Sequence, residues 1–262
     1  VLKLNPFSFG LVAGVLLIRE RRARIHAERL GAATLETLLN AVDANDAVTG
    51  AHVRRVASYS LIICDAAGFD ERTSRSVERV ALFHDIGKIH EALTDIFHEK
   101  SKLTPGERRA VMTHPQRGAD VLAPLAPFYP ELPQGVLCHH ERWDGSGYPR
   151  HLEGKRIPLE SRVVAIADTF DAITQSRRYN RARSVAFATQ VILDGRGTQF
   201  DPELVDIFLS APVKECFEET FAELQRPRSK HHRRNGKRVG GPVPDLRFRW
   251  RTSGAARQPQ DR

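Results

Sequence analysis

Residues Val77 to Lys88 read VERVALFHDIGK, and the fold turns on this stretch. Val77, Val80, Ala81 and Leu82 continue a helical pattern that starts at Glu71, and His84-Asp85 falls at its end. Neighbouring side chains on a helix point about 100° apart, so an adjacent His and Asp reach one ion only from a helix end or a widened turn. Gly87 is expected to supply that freedom, and Lys88 puts a cation where a phosphate could lie. Alone, a His-Asp pair is weak evidence, because a satisfied surface histidine is the commoner case.

Outward from this stretch the pattern stays helical. Leu30, Leu35, Leu38, Leu39 and Val42 recur at helical steps, as do Val53, Val56, Ala57, Ser60 and Leu61, with a break near Asn45 to Gly50. Gly68, Phe69 and Asp70 make a turn. Further helices are expected over Pro105 to Ala123, Glu131 to His140, Leu159 to Gln175, Ser184 to Asp194 and Pro202 to Leu209. No alternating strand run and no internal repeat stands out. The expectation is an all-α domain with a loop-rich stretch from Trp143 to Pro158.

Along these helices runs an ordered series of His52, His84-Asp85, His114, His139-His140 and Asp168. Five imidazoles with two carboxylates suit two transition metals around a shared water, which would become a hydroxide near neutral pH and attack phosphorus. That combination predicts hydrolysis of a phosphate ester.

The HDIGK string in its helical setting resembles the HD superfamily of metal-dependent phosphohydrolases. His139-His140-Glu141-Arg142 leading into WDGSGYP (Trp143–Pro149), then RVVAIADTFDA (Arg162–Ala172), TQSRRY (Thr174–Tyr179) and GTQFDP (Gly197–Pro202), resembles the HD-GYP family, whose members hydrolyse cyclic di-GMP. The resemblance covers roughly Leu38 to Leu209 and implies an HD-type helical bundle. It implies that His52, His84, Asp85 and Asp168 hold one divalent ion, and that Asp85, His114, His139 and His140 hold a second, with Asp85 bridging; iron or manganese is favoured over zinc. Asp85 and Lys88 would then be the catalytic positions. Lys88 and Arg177 would grip the phosphate, Arg by its fork of donors. Tyr148 and the backbone at Gly147 would either touch substrate or shape the pocket. The implied reaction opens cyclic di-GMP to pGpG, and whether a second hydrolysis to GMP follows stays open. The implied partners are diguanylate cyclase domains and a second copy of the chain, paired through the helix ahead of the catalytic domain.

Some residues depart from the family pattern. Where some members carry a glutamate one turn before the first ligand histidine, this chain has Val48, which predicts two metals and not three. The segment IHEALTDIFHEKSKL after Lys88 lacks a common Gly-Ile/Val-Pro run, and Asn180 stands where a basic residue is frequent, leaving Arg178 or Arg181 as substitutes. Asp144 is not expected to bind metal, and Asp171, one turn beyond Asp168, reads as a support for a ligand or a surface residue. Cys138 reads as a packed core thiol. His26, His90, His98 and His151 read as surface residues, and His231 and His232 as part of a basic tail.

With 262 residues and 41% apolar content, the chain can bury one sizeable core and carry appendages. Three cysteines, Cys64, Cys138 and Cys216, form no framework and suit a reducing, cytoplasmic setting. The net charge of +8 is misleading about partners, because residues 226–262 carry +10 and the rest −2. That tail lacks apolar periodicity and reads as disordered; nucleic acid or anionic lipid would be met only there. The apolar run from Leu4 to Ile18 precedes RERRAR. It falls short of the roughly 20 residues that span a bilayer, yet the flanking arginines suit an inner-membrane anchor with a cytoplasmic catalytic domain. The expected organisation is an apolar segment with its Arg cluster (1–22), a linker helix (23–37), a catalytic domain (38–212), a helical extension (213–225) and the tail (226–262). Two competing functions remain at this point: action on another cyclic dinucleotide or nucleotide, and an inactive sensor or adaptor that binds cyclic di-GMP.

Overall fold

A computed structural model describes residues 6–45, 47–89, 104–175 and 182–225. The helices are α1 (Pro6–Asn45), α2 (Ala47–Ala66), α3 (Glu71–Phe83), α4 (Pro105–Val111), α5 (His114–Leu122), α6 (Glu131–Leu137), α7 (Leu159–Thr174), α8 (Val185–Asp194), α9 (Pro202–Leu209) and α10 (Ala211–Gln225). Short 3-10 turns cover Ile86–Ile89, Ala123–Leu125 and Gly154–Arg156. Among the described residues the only extended pairings are single bridges, Asp144 with Glu153 and Arg196 with Phe200, so the protein is all-α.

α2 is the hub, packed against α3 and α7, with α1, α9 and α10 on its remaining flanks. Its Val56, Tyr59 and Ile63 meet Val77, Val80 and Phe83 of α3 and Val163, Ile166 and Phe170 of α7, all essentially without exposed surface. Tyr59 stacks on Phe217 with centroids 4.8 Å apart, and Phe170 meets both rings edge-on at 4.9 Å. Each such burial contributes roughly 2–3 kcal/mol, so α10 is tied to the core through Phe217. A second, much smaller cluster of Ala119, Leu137 and Cys138 underlies α5 and α6, with Leu152 against it. The packed core thiol expected at Cys138 lies there.

Helix starts follow local chemistry. Asp70 accepts from the Thr73 amide at α3, Thr104 and Glu107 form a reciprocal capping box at α4, and Ser184 and Asp201 cap α8 and α9. The single helix expected from Pro105 to Ala123 is instead two, interrupted at Met112-Thr113. Pro115 is the cause: it has no N–H to donate to the Val111 carbonyl, so the ladder breaks there. The helix expected from Glu131 to His140 ends at Leu137, leaving the His pair on the turn beyond it.

From Pro6 on, the apolar run, the Arg cluster and the linker lie on one continuous helix, α1. No helix among the described residues is long and apolar enough to cross a membrane. Arg177, the segment His90–Leu103 after Lys88, residues Arg178, Asn180 and Arg181, and the basic tail lie outside the described residues.

Candidate metal centre

The series His52, His84, Asp85, His114, His139, His140 and Asp168 converges on one cleft. His52, His84 and Asp85 bring ligand atoms within 4.8 Å of one another, and so do His114, His139 and His140. Asp85 lies between the trios. Its Oδ2 is 3.8 Å from His52 Nε2 and 3.5 Å from His84 Nε2, while its Oδ1 is 3.4 Å from His114 Nε2 and 3.9 Å from His139 Nε2. Asp168 Oδ1 joins the first trio at 3.3 Å from His52 Nε2 and 4.0 Å from His84 Nε2.

The ring orientations come from helix ends. The last carbonyls of a helix have no partner in the ladder. His84 Nδ1 meets the Ala81 carbonyl at 2.8 Å where α3 ends, and His139 Nδ1 meets that of Val136 at 2.6 Å where α6 ends. His114 Nδ1 meets the Val111 carbonyl at 2.7 Å, the acceptor that Pro115 leaves open. A carbonyl can only accept, so each Nδ1 carries the proton and each Nε2 turns an unprotonated lone pair into the cleft.

These lone pairs make the case for a cation. His114 Nε2 and His139 Nε2 face each other at 3.2 Å, two acceptors with nothing to donate between them. His84 Nε2 and Asp85 Oδ1 are buried with no hydrogen-bond partner among the described residues. Buried polar groups are ordinarily satisfied, and a divalent ion would satisfy these. The donors therefore fit a metal.

Electrostatics divides the two trios. Burial opposes charge on His52, yet the carboxylates of Asp168 and Asp171 outweigh it and raise the ring's pKa. Burial and the neighbouring His114 push His140 down to about 4, and burial with His140 and His84 holds His139 well below the imidazole range. Burial would raise Asp85, but Lys88 and His84 keep it well below the carboxylate range. Lys88 Nζ donates to Asp85 Oδ2 at 2.6 Å.

Gly87 does something other than free the His-Asp turn. It has no left-handed backbone, and a Cβ there would sit 2.1 Å from the His114 carbonyl oxygen and 2.6 Å from the Gly118 amide nitrogen. Its lack of a side chain lets the His-Asp turn lie directly on α5, bringing His114 to Asp85. In the WDGSGYP loop, a Cβ on Gly147 would sit 2.3 Å from the Arg142 nitrogen, so this glycine allows two stretches of backbone to touch. Tyr148 stacks on His140 with centroids 4.9 Å apart. Asp144 accepts from the Ser146 amide and hydroxyl at 3.0 and 2.6 Å, closing the loop on itself.

Two contributors escape the sequence reading. Glu141, buried, accepts from the Arg150 and Leu152 amides at 2.6 and 3.1 Å and pins the GYP loop. Arg55 pairs with Asp171, a carboxylate with no exposed surface. The signal for Arg55 is its spacing: His52 and Arg55, like Asp168 and Asp171, are three apart and share a helix face.

A helical bundle that turns imidazoles and carboxylates into one cleft defines an all-α domain with a His/Asp cluster that could bind metal. The HD domain family matches residues 36–204, and the chain belongs to it, in the HD-GYP branch. The cyclic di-GMP phosphodiesterase response regulator RpfG of Xanthomonas campestris is 36% identical over 67% of this chain and 47% of its own length. A cyclic di-GMP phosphodiesterase of Thermotoga maritima is 35% identical over 67% of this chain and 48% of its own. The 3′3′-cGAMP-specific phosphodiesterase 2 of Vibrio cholerae is 34% identical over 66% and 33%. The chain thus spans a third to about half of the length of these relatives. A solved cyclic GMP-AMP specific phosphodiesterase of V. cholerae shares the fold, with a TM-score of 0.54 and 22% identity over 74% of this chain and 50% of that one.

Proposed function

We propose that the chain is a metal-dependent phosphodiesterase that opens cyclic di-GMP to pGpG. The observation that carries this reading is Asp85, with one oxygen turned to each trio, the arrangement expected of a carboxylate shared by two ions. His52, His84 and Asp168 would complete one site and His114, His139 and His140 the other, with iron or manganese as the ions. When bound, the pair supplies an acidified water and neutralises charge gathering on the phosphoryl oxygens. The chain itself then has little covalent work. Carbonyls at helix ends orient His84, His114 and His139 so that each turns Nε2 into the cleft, and Asp171 does the same for His52. Lys88, a neighbour of Asp85, and Arg177, by its place in TQSRRY, would bind the non-bridging oxygens. Tyr148, held on His140, would form a wall beside the second site.

A second substrate has specific support, since several relatives carry names specifying 3′3′-cGAMP. The test is to purify the full chain anaerobically with Mn(II) or Fe(II) and follow cyclic di-GMP and 3′3′-cGAMP in parallel by chromatography. Conversion of cyclic di-GMP to pGpG is expected. Faster turnover of 3′3′-cGAMP would reassign the substrate. No turnover of either with two metals bound would overturn the enzyme reading in favour of a sensor or adaptor.

A further inference from the structure

His52 is the exception among the ligand histidines that lie beside Asp85. His84, His114 and His139 dispose of their Nδ1 protons on carbonyls that a helix end leaves open. His52 lies inside α2, where the carbonyl three residues back belongs to the helix ladder. Its Nδ1 proton goes across to α7 instead, to Asp171 Oδ2 at 2.7 Å.

Asp171 in turn is not left to orient itself. Arg55 Nε donates to Asp171 Oδ1 at 2.6 Å and Arg55 Nη2 to Oδ2 at 3.0 Å, a fork that fixes the plane of the carboxylate. The pairing is over-determined by the helix periods: His52 and Arg55 share one face of α2, Asp168 and Asp171 share one face of α7, and Phe170 anchors the opposite face in the core. A rotation of α7 would therefore move a ligand carboxylate and the support of His52 together.

We propose that Arg55 and Asp171 are positioning residues that set the His52 ring for metal at the α2, α3 and α7 side of the centre. The proposal rests on the reading that these histidines hold metal. A carboxylate accepting the Nδ1 proton both fixes the tautomer and makes Nε2 a stronger donor than a neutral carbonyl does. The rigid fork of Arg55 keeps that carboxylate aimed, which a lysine in its place could not do. The His52 side is thereby the more strongly donating half of the centre.

The test uses the full chain, stripped with chelator and titrated with Mn(II) by equilibrium dialysis with metal analysis. Asp171→Asn is expected to weaken binding at one site by roughly 10–100-fold and Arg55→Lys by a smaller factor. In a His52→Ala background, Asp171→Asn should cause no further loss, because it acts through His52. Wild-type affinity in Asp171→Asn, or an equal loss in the His52→Ala background, would overturn the proposal by assigning the pair to the fold alone. Thermal melts of the metal-free variants report folding. If Asp171→Asn does not fold, Arg55→Lys keeps the test readable, since wild-type affinity there would also overturn it. A wild-type chain that binds no Mn(II) overturns the metal reading, and this proposal with it.

Discussion

The two trios around Asp85 are built by different means. His52 and Asp168 stand on α2 and α7 and His84 directly follows α3, helices whose other faces form the main core with Tyr59, Val80, Phe83, Ile166 and Phe170. His114, His139 and His140 stand at the start of α5 and the turn after α6, over the small cluster of Ala119, Leu137 and Cys138. In the first half His52 and Asp168 are located by helix packing and only His84 leans on a helix-end carbonyl, whereas the second half rests on helix-end carbonyls and a loop throughout. One half should therefore hold its geometry without metal, while the other leans on metal to quiet its opposed lone pairs. Interiors packed like the first resist displacement, whereas regions with few apolar contacts open more easily.

The most severe way to break this comparison is to remove what the halves share. Asp85→Ala takes a carboxylate oxygen from both sides and is expected to lower metal occupancy at each, with turnover falling by about a thousand-fold or more. Metal analysis and cyclic di-GMP turnover on the same preparation check it. Loss of activity with both metals retained would show that Asp85 does not join the halves.

Part of this centre is legible because some candidate ligands sit at local landmarks, a helix end at His84-Asp85 and a helix exit at His139-His140, whereas His52 and Asp168 lie inside helices and are marked only by the motifs around them. The seven positions lie together around Asp85. Arg55 and Glu141 were not legible, since their roles depend on partners brought near only by the tertiary fold, Asp171 across two helices and the amides of Arg150 and Leu152 around a loop. Gly87 reads from the sequence as a source of backbone freedom, but what it and Gly147 provide is close approach, a property of the neighbour and not of the glycine. Pro115 is hidden within an otherwise helical pattern, and it is the residue that splits the helix and frees an acceptor for His114.

Acid sharpens the comparison in the chain stripped of metal. His140 has its pKa lowered from 6.5 to about 4, so between these values the unfolded chain binds a proton that the folded chain does not. Stability is thus full above about pH 6.5 and falls as pH drops toward 4, by on the order of 3 kcal/mol for this one group. His139, also lowered, steepens the fall, whereas His52, raised, works in the opposite sense: its contribution is present below pH 6.5 and lost as pH rises through its folded value. Urea melts of metal-free protein across this interval should show the decline, and His140→Ala should flatten it. An unchanged slope in His140→Ala would place the acid-sensitive groups elsewhere.

The mildest break targets the loop that carries Tyr148. Gly147→Ala puts a methyl 2.3 Å from the Arg142 nitrogen and 2.6 Å from the Glu141 Cα, and because these are backbone atoms no side chain can swing aside. Overpacking of this kind costs about 1–3 kcal/mol, read as a melting temperature lowered by several degrees. The strain falls between Glu141 and Tyr148, the two points where the loop is held: Glu141 by its grip on the Arg150 and Leu152 amides, Tyr148 by its amide on the His140 carbonyl at 3.2 Å and its ring on His140. His140 should shift with them. Mn(II) titration of this variant is expected to show weakened binding on the side of His114, His139 and His140 with the other side unchanged. If both sides weaken equally, the halves are mechanically one unit joined through Gly87 and α5, and the difference in how they are built has no consequence for how they bind metal.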